Sequence, residues 1–285
     1  MPPPLFDSRT RTDRIGRLLV PVTINGQGPF RFVLDTGANR TVLTPQLARH
    51  LGLPISTSSK LIMTGVTGSA AVPTVAVAHV KVGDVELKNV QLPVAAGLSE
   101  DVSGTLGVDA LPDTRLLLDF AKGRIEIRKA HFETLKDGFQ QIRGQCRFER
   151  LLIVRASVGR IPVRAVVDTG SQFTLGNLAL RTKLGFVDQF DPARTTDVIG
   201  ETLESQKGER RPVPVVRVGT LQSPTPSFIF GDFHVFKLWG LEEEPAIVMG
   251  MDMLGSLDRL VIDYQRCELR VRPGGTDRPF SIERR

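Results

Sequence analysis

The chain's 285 residues are enough for two modest domains or one large one, and 41% hydrophobic residues plus 27 glycines make an ordinary globular balance that excludes disorder as the dominant state. No apolar run approaches the roughly eighteen residues of a membrane span; the longest, around Ala70 to Val82, is broken by Pro73, His79 and Lys81, so no integral membrane segment is expected. The net charge of +6 is dispersed in pairs such as Arg9 with Arg11 and Arg210 with Arg211, and with one Tyr and one Trp there is no stacking platform, so nucleic acid is not an expected partner.

The 27 glycines and 19 prolines are scattered among short apolar runs, which predicts an all-β chain. In chain order, residues 1–14 read as a flexible tail whose start lacks both the basic and the apolar region of a secretory signal. A first unit over 15–128 opens with a strand Leu18 to Ile24, a turn at Asn25-Gly26 and a strand Phe30 to Leu34, which runs into Asp35-Thr36-Gly37-Ala38. Thr44 and Pro45 then open a short helix that stops at Gly52. Thr64-Gly65-Val66-Thr67-Gly68-Ser69 suits a hairpin tip, and Arg115 to Phe120 and Arg124 to Arg128 read as strands. Residues 129–149 turn polar and read as a linker.

A second unit over 150–272 repeats the first. Strands Leu151 to Val158 and Ile161 to Val167 flank Gly159-Arg160 and lead into Asp168-Thr169-Gly170-Ser171, 133 residues after the first copy. Asn177 opens the matching helix, whose stop at Gly185 lies 133 residues after Gly52. Val198-Ile199-Gly200-Glu201 falls where the first glycine cluster would recur, and Phe228 to Trp239, the richest aromatic run, reads as a core strand, with the side wall of a cleft as the sharper alternative. Arg259 to Tyr264 and Glu268 to Arg272 close the unit, and residues 273–285 read as a flexible tail.

One Asp-Thr-Gly is a turn by default. Two copies with matching flanks point to chemistry, because two carboxylates brought together cannot both ionise cheaply and hold one proton between them; aspartic proteases are a standing illustration of this splitting. No His-x-x-x-His pair or phosphate-binding glycine loop is present, so no metal or other cofactor is expected. Cys146 and Cys267 leave open a single disulfide or two buried thiols.

The two Asp-Thr-Gly turns resemble those of the pepsin and retropepsin clan of aspartic proteases, and the resemblance runs from about Gly16 to Arg272. A second mark of that clan is an apolar pair before a glycine late in each lobe, here Thr105-Leu106-Gly107-Val108-Asp109, with Thr105 in place of an aliphatic residue, and Val248-Met249-Gly250-Met251-Asp252. The resemblance implies an acid-protease fold of two pseudo-twofold-related β-barrel lobes, each with a short helix after its Asp-Thr-Gly turn, and an endopeptidase acting on extended polypeptides. Asp35 and Asp168 would activate the attacking water, Thr36 and Thr169 would cross-link the turns, and Gly37, Ala38, Gly170 and Ser171 would support them. A hydrogen bond from Ser171 to the carboxylate of its own lobe would make Asp168 the readier anion and Asp35 the readier acid. Gly65, Val66, Thr67 and Gly68 of one hairpin, with Ile199, Gly200 and Glu201 of the other, would form two covering flaps. Tyr264 is the only tyrosine and sits in the terminal strand, so a tyrosine-bearing flap is not expected. Both units lie in one chain, so a monomer is expected; the resemblance implies, in a bacterial source, a periplasmic or envelope location, with the cytoplasm left open. A protein that kept the fold but lost turnover and binds peptides is the alternative.

Overall fold

A computed structural model of the chain describes residues 6–97, 101–130, 138–186, 189, 191–200, 205–223 and 226–274. Strands dominate it, consistent with an all-β acid-protease fold, and its helices are short: α1 (Pro45–His50), α2 (Leu178–Lys183), α3 (His234–Leu238) and α4 (Met251–Leu254). None of the described helices is long and apolar enough to cross a membrane.

Local chemistry builds the same path twice. Leu18–Ile24 and Gln27–Leu34 pair around Asn25 and Gly26, whose φ values of 50° and 79° are both left-handed, as a tight hairpin turn matched to strand twist requires. Leu34 then lies beside a parallel strand, Gly104–Leu106, and Val42–Leu43 pairs with that strand's other edge. The segment 35–41 therefore leaves one strand and returns beside its neighbour's far side. In the second repeat Leu151–Val158 pairs with Ile161–Val167, which runs parallel to Ala246–Met249, and Leu175–Gly176 takes the far edge. Thr44 caps α1 by accepting the Leu47 N–H, with Pro45 in the first turn, and Asn177 caps α2 by accepting the Leu180 N–H.

The described strands form an eight-stranded sheet within the first repeat and a fifteen-stranded sheet that draws on both. The larger sheet runs Phe6–Arg9, Arg124–Lys129, Thr114–Asp119, Leu257–Asp263, Glu268–Pro273, Gln140–Arg147 and on into the hairpin that begins at Leu151. Its seam is the antiparallel register from Arg115↔Asp263 to Asp119↔Arg259. Alternation sends Leu116, Leu118, Ile125, Ile127, Leu260, Ile262, Leu269 and Val271 into the core. The opposite face carries ion pairs, Arg115 with Asp263 (2.9 Å), Arg259 with Asp119 (2.7 Å) and Arg128 with Glu126 (2.6 Å).

Three expectations need correction. The tail expected over residues 1–14 is strand over Phe6–Arg9, paired with Arg124–Ile127, and over Arg11–Thr12, paired with Leu18–Leu19. Phe6 is buried in the core, and Asp13 fixes the following turn by accepting the N–H groups of Ile15 and Arg17. The expected linker contains the strand Gln140–Arg147, which fills the sheet between Glu268–Pro273 and Leu151–Val158. Cys146 on that strand is disulfide-bonded to Cys267, in the turn before Glu268. The aromatic run is strand only over Ser227–Phe230; Gly231 and Asp232 interrupt it, and α3 follows with Phe233 and Phe236 buried. Residues 1–5, 131–137 and 275–285 of the expected tails and linker lie outside the described residues.

Candidate active site

Asp35 and Asp168 stand where the strands Gln27–Leu34 and Ile161–Val167 end. Their N–H groups donate to Leu106 O (3.0 Å) and Met249 O (3.1 Å), so each is pinned by the parallel neighbour of its own strand. Each turn then wraps its own carboxylate. Asp35 Oδ1 accepts the N–H groups of Gly37 (2.7 Å) and Ala38 (3.0 Å), and Asp168 Oδ1 those of Gly170 (2.7 Å) and Ser171 (3.1 Å).

The turns are locked to each other. The Thr36 N–H donates to Thr169 Oγ1 and the Thr169 N–H to Thr36 Oγ1, both at 3.1 Å, while the hydroxyls donate onward to Val167 O (2.8 Å) and Leu34 O (2.6 Å). Both threonines are buried, so each hydroxyl is satisfied as donor and acceptor across the junction of the repeats. The lock brings the carboxyls against the opposite glycines: a Cβ on Gly37 would fall 2.4 Å from Asp168 Cγ, and one on Gly170 would fall 2.1 Å from Asp35 Cγ. Glycine is required at both positions because the other repeat's carboxyl occupies the space of a side chain.

A second tier holds the turns from behind, and its members were not singled out as site residues. Asp109 accepts the N–H (3.0 Å) and hydroxyl (2.7 Å) of Thr41, whose Oγ1 accepts the Gly107 N–H (3.2 Å). Asp252, Thr174 and Gly250 repeat the arrangement at 2.9, 2.6 and 3.2 Å. A Cβ on Gly107 would lie 2.5 Å from Arg40 C, and one on Gly250 would lie 2.7 Å from Phe173 C, so both glycines pack on the segment carrying the Asp. The signal was present in the sequence as an Asp two residues after the glycine of each late motif.

Burial pushes both dyad carboxyls above the ordinary Asp value. Asp168 is pushed well above it because the charge and hydrogen bonding of Asp35 add to desolvation. Asp35 is pulled back by the hydrogen bond with Asp168, by the Gly37 and Ala38 N–H groups and by the Arg17 charge. Two such carboxyls side by side hold one proton between them. The expected hydrogen bond from Ser171 to the carboxylate of its own repeat is not made, because its hydroxyl donates to Phe173 O (2.8 Å). The Arg17 charge, its guanidinium held by Asp13 (2.7 Å), favours the anion at Asp35.

Above the dyad lies a cavity of about 530 Å³, lined by both aspartates and by both glycine hairpins. The first hairpin joins Ser56–Thr64 to Ser69–Val82, with the Gly65 N–H donating to Gly68 O (2.8 Å) across its tip. The second joins Thr195–Ile199 to Ser205–Pro212. Thr67 is buried, and a Cβ on Gly200 would fall 2.4 Å from Thr67 Oγ1, so the tips meet. Glu201 lies outside the described residues. Ile62, Ile199, Leu238 and Ile15, four of the five large hydrophobics exposed among the described residues, line this cavity, as do Phe148, Val235 and Trp239. Part of the aromatic run is thus cleft wall and part is core. Tyr264 is buried and absent from the lining, its phenol pushed up by desolvation and by the Asp35 charge.

Residues 20–110 match the family model described as Aspartyl protease. The match takes in Asp35 and the first hairpin, and it supports an aspartic protease of the pepsin/retropepsin type. A comparison with curated proteins finds no match to the chain.

Proposed function

We propose that this protein is an aspartic endopeptidase of two lobes, each giving one aspartate to a single site that hydrolyses extended polypeptides. The observation that carries the reading is the reciprocal Thr36–Thr169 lock, which sets each glycine against the other repeat's carboxyl. Asp35, as carboxylate, takes a proton from water while the water oxygen bonds to the peptide carbonyl carbon. Asp168, as acid, gives its proton to the carbonyl oxygen, and a neutral tetrahedral diol results. On collapse the proton on Asp35 passes to the amide nitrogen, the C–N bond breaks, and a diol hydroxyl returns a proton to Asp168. The pair ends as it began.

The apolar rim formed by Ile62, Ile199 and Leu238 favours substrates with apolar side chains beside the cut bond, laid as a strand beneath the hairpins. Because both aspartates come from one chain, the site is complete in a monomer. The Cys146–Cys267 disulfide supports an oxidising compartment such as a bacterial periplasm or envelope.

The test is incubation of an unfolded protein substrate over a pH series with the wild type, Asp35→Asn and Asp168→Asn. Cleavage by the wild type and a loss of about 10²-fold or more in each variant is the expected result. Cleavage indifferent to both substitutions overturns the mechanism, and absence of wild-type cleavage at every pH favours a peptide-binding protein without turnover.

A further inference from the structure

Helix α3 presents one side chain to the first hairpin and the same residue's backbone to the second. His234 Nε2 is hydrogen-bonded to Ser69 Oγ at 2.9 Å, and that hydroxyl is hydrogen-bonded in turn to Thr64 Oγ1 at 2.9 Å, across the base of the tip. The His234 N–H donates to Gln206 Oε1 (3.3 Å), on the returning strand of the second hairpin. The next residue repeats the link through backbone alone, the Val235 N–H donating to Val66 O (3.3 Å). Thr67, at the turn of a hairpin that would be solvated if it stood open, is 3% exposed.

We propose that His234 is the latch of a closed lid: a positioning residue, remote from the reacting atoms, that ties both hairpins to α3 and sets how readily the cleft opens. The inference rests on the reading of the hairpins as a lid over a peptide-cleaving site. An extended polypeptide enters only if the tip Gly65–Gly68 leaves α3, which breaks the Ser69–His234 and Val66–Val235 hydrogen bonds and separates Thr67 from Gly200. Once substrate is in, the same bonds hold the lid down on it. Because these bonds are present in the empty and the occupied closed forms alike, their loss changes how fast the lid opens and leaves KM and kcat nearly unchanged. The Ser69–His234 contact is solvent-accessible, and a hydrogen bond of that kind has a modest net value, so the latch is reversible rather than permanent.

The experiment compares wild type, His234→Ala, His234→Gln and Ser69→Ala by amide hydrogen exchange at residues 65–69 in the ligand-free protein, by the association rate of a peptide substrate in stopped flow, and by KM and kcat on that peptide. Glutamine retains a terminal N–H donor and should restore the wild-type values. His234→Ala should speed exchange at the tip about three- to tenfold, because one net hydrogen bond is lost, and Ser69→Ala, which also loses the bond to Thr64, at least as much; the rate of substrate association should rise by a like factor, with KM and kcat within about twofold. The double variant should be no worse than Ser69→Ala alone, since that variant already removes the bond to His234. Exchange at the strand Leu18–Ile24 should stay at the wild-type rate, which separates a latch from general destabilisation, and Ser69→Ala alters only an exposed residue. Faster tip exchange in a protein that cleaves nothing upholds the latch while the protease reading fails. Normal cleavage with unchanged tip exchange and an unchanged association rate in both alanine variants overturns the latch and leaves the protease reading standing.

Discussion

The dyad's proton has a consequence for stability as well as for rate. Both carboxyls titrate above the ordinary Asp value of 3.8 in the folded protein, chiefly through burial. Between that value and the raised native one, the unfolded chain has released protons that the folded chain still holds, so stability falls as pH rises through this window. Asp168→Asn carries no proton to lose. It should abolish cleavage, yet melt at a higher temperature than wild type near neutral pH and show a flatter dependence of melting temperature on pH above 4; a melting curve as steep as wild type would contradict the assignment of the proton. The acid limb of the pH–rate profile tests the other half of the pair. Arg17→Met should move that limb to higher pH by removing the cation that favours Asp35 as anion, while Ser171→Ala should leave it in place. The two Asp-Thr-Gly turns were legible in the sequence because their glycine and threonine requirements are local and occur twice. The partner of Ser171 was not, because its hydroxyl chooses between a carboxylate and the Phe173 carbonyl according to a backbone path that composition does not encode.

Caps and hairpin turns were equally readable among the elements, since Thr44, Asn177 and Asn25-Gly26 act on their immediate neighbours. The strands Phe6–Arg9 and Gln140–Arg147 were not, because one face of their sheet is charged and alternation leaves few apolar residues to notice: Phe6 in the first, Ile142 in the second. The two caps also differ in a way that pattern conceals. Thr44 serves α1 and gives its hydroxyl to Ser103 O. Asn177 serves α2 and spends its remaining groups on the loop beyond α3, its Nδ2 donating to Leu241 O and Glu244 O and its Oδ1 accepting the Ala246 N–H. Thr44→Ala should therefore cost about 1 kcal/mol, an ordinary cap loss. Asn177→Ala leaves several buried backbone groups unpaired and should cost about 2–4 kcal/mol by denaturant titration. Equal losses at the two positions would show that the loop 241–246 does not depend on Asn177.

For the whole molecule, the strongest covalent constraint ties the strand between the repeats to the last strand of the second. The Cys146–Cys267 bond spans 121 residues, and cross-links that close long loops restrict the unfolded chain most. Reduction should lower stability by about 2–4 kcal/mol, read as a fall in melting temperature with and without reductant. The seam of the large sheet adds a temporal consequence. Arg115 pairs with Asp263, 148 residues later, and the strand Gln140–Arg147 needs Glu268–Pro273 at its edge. During synthesis the strands Thr114–Asp119 and Gln140–Arg147 emerge before the second-repeat strands that pair with them. The sheet closes only once residue 273 has been added. The Asp35 turn, made early, therefore waits through the synthesis of the whole second repeat before the sheet that joins the two repeats is complete.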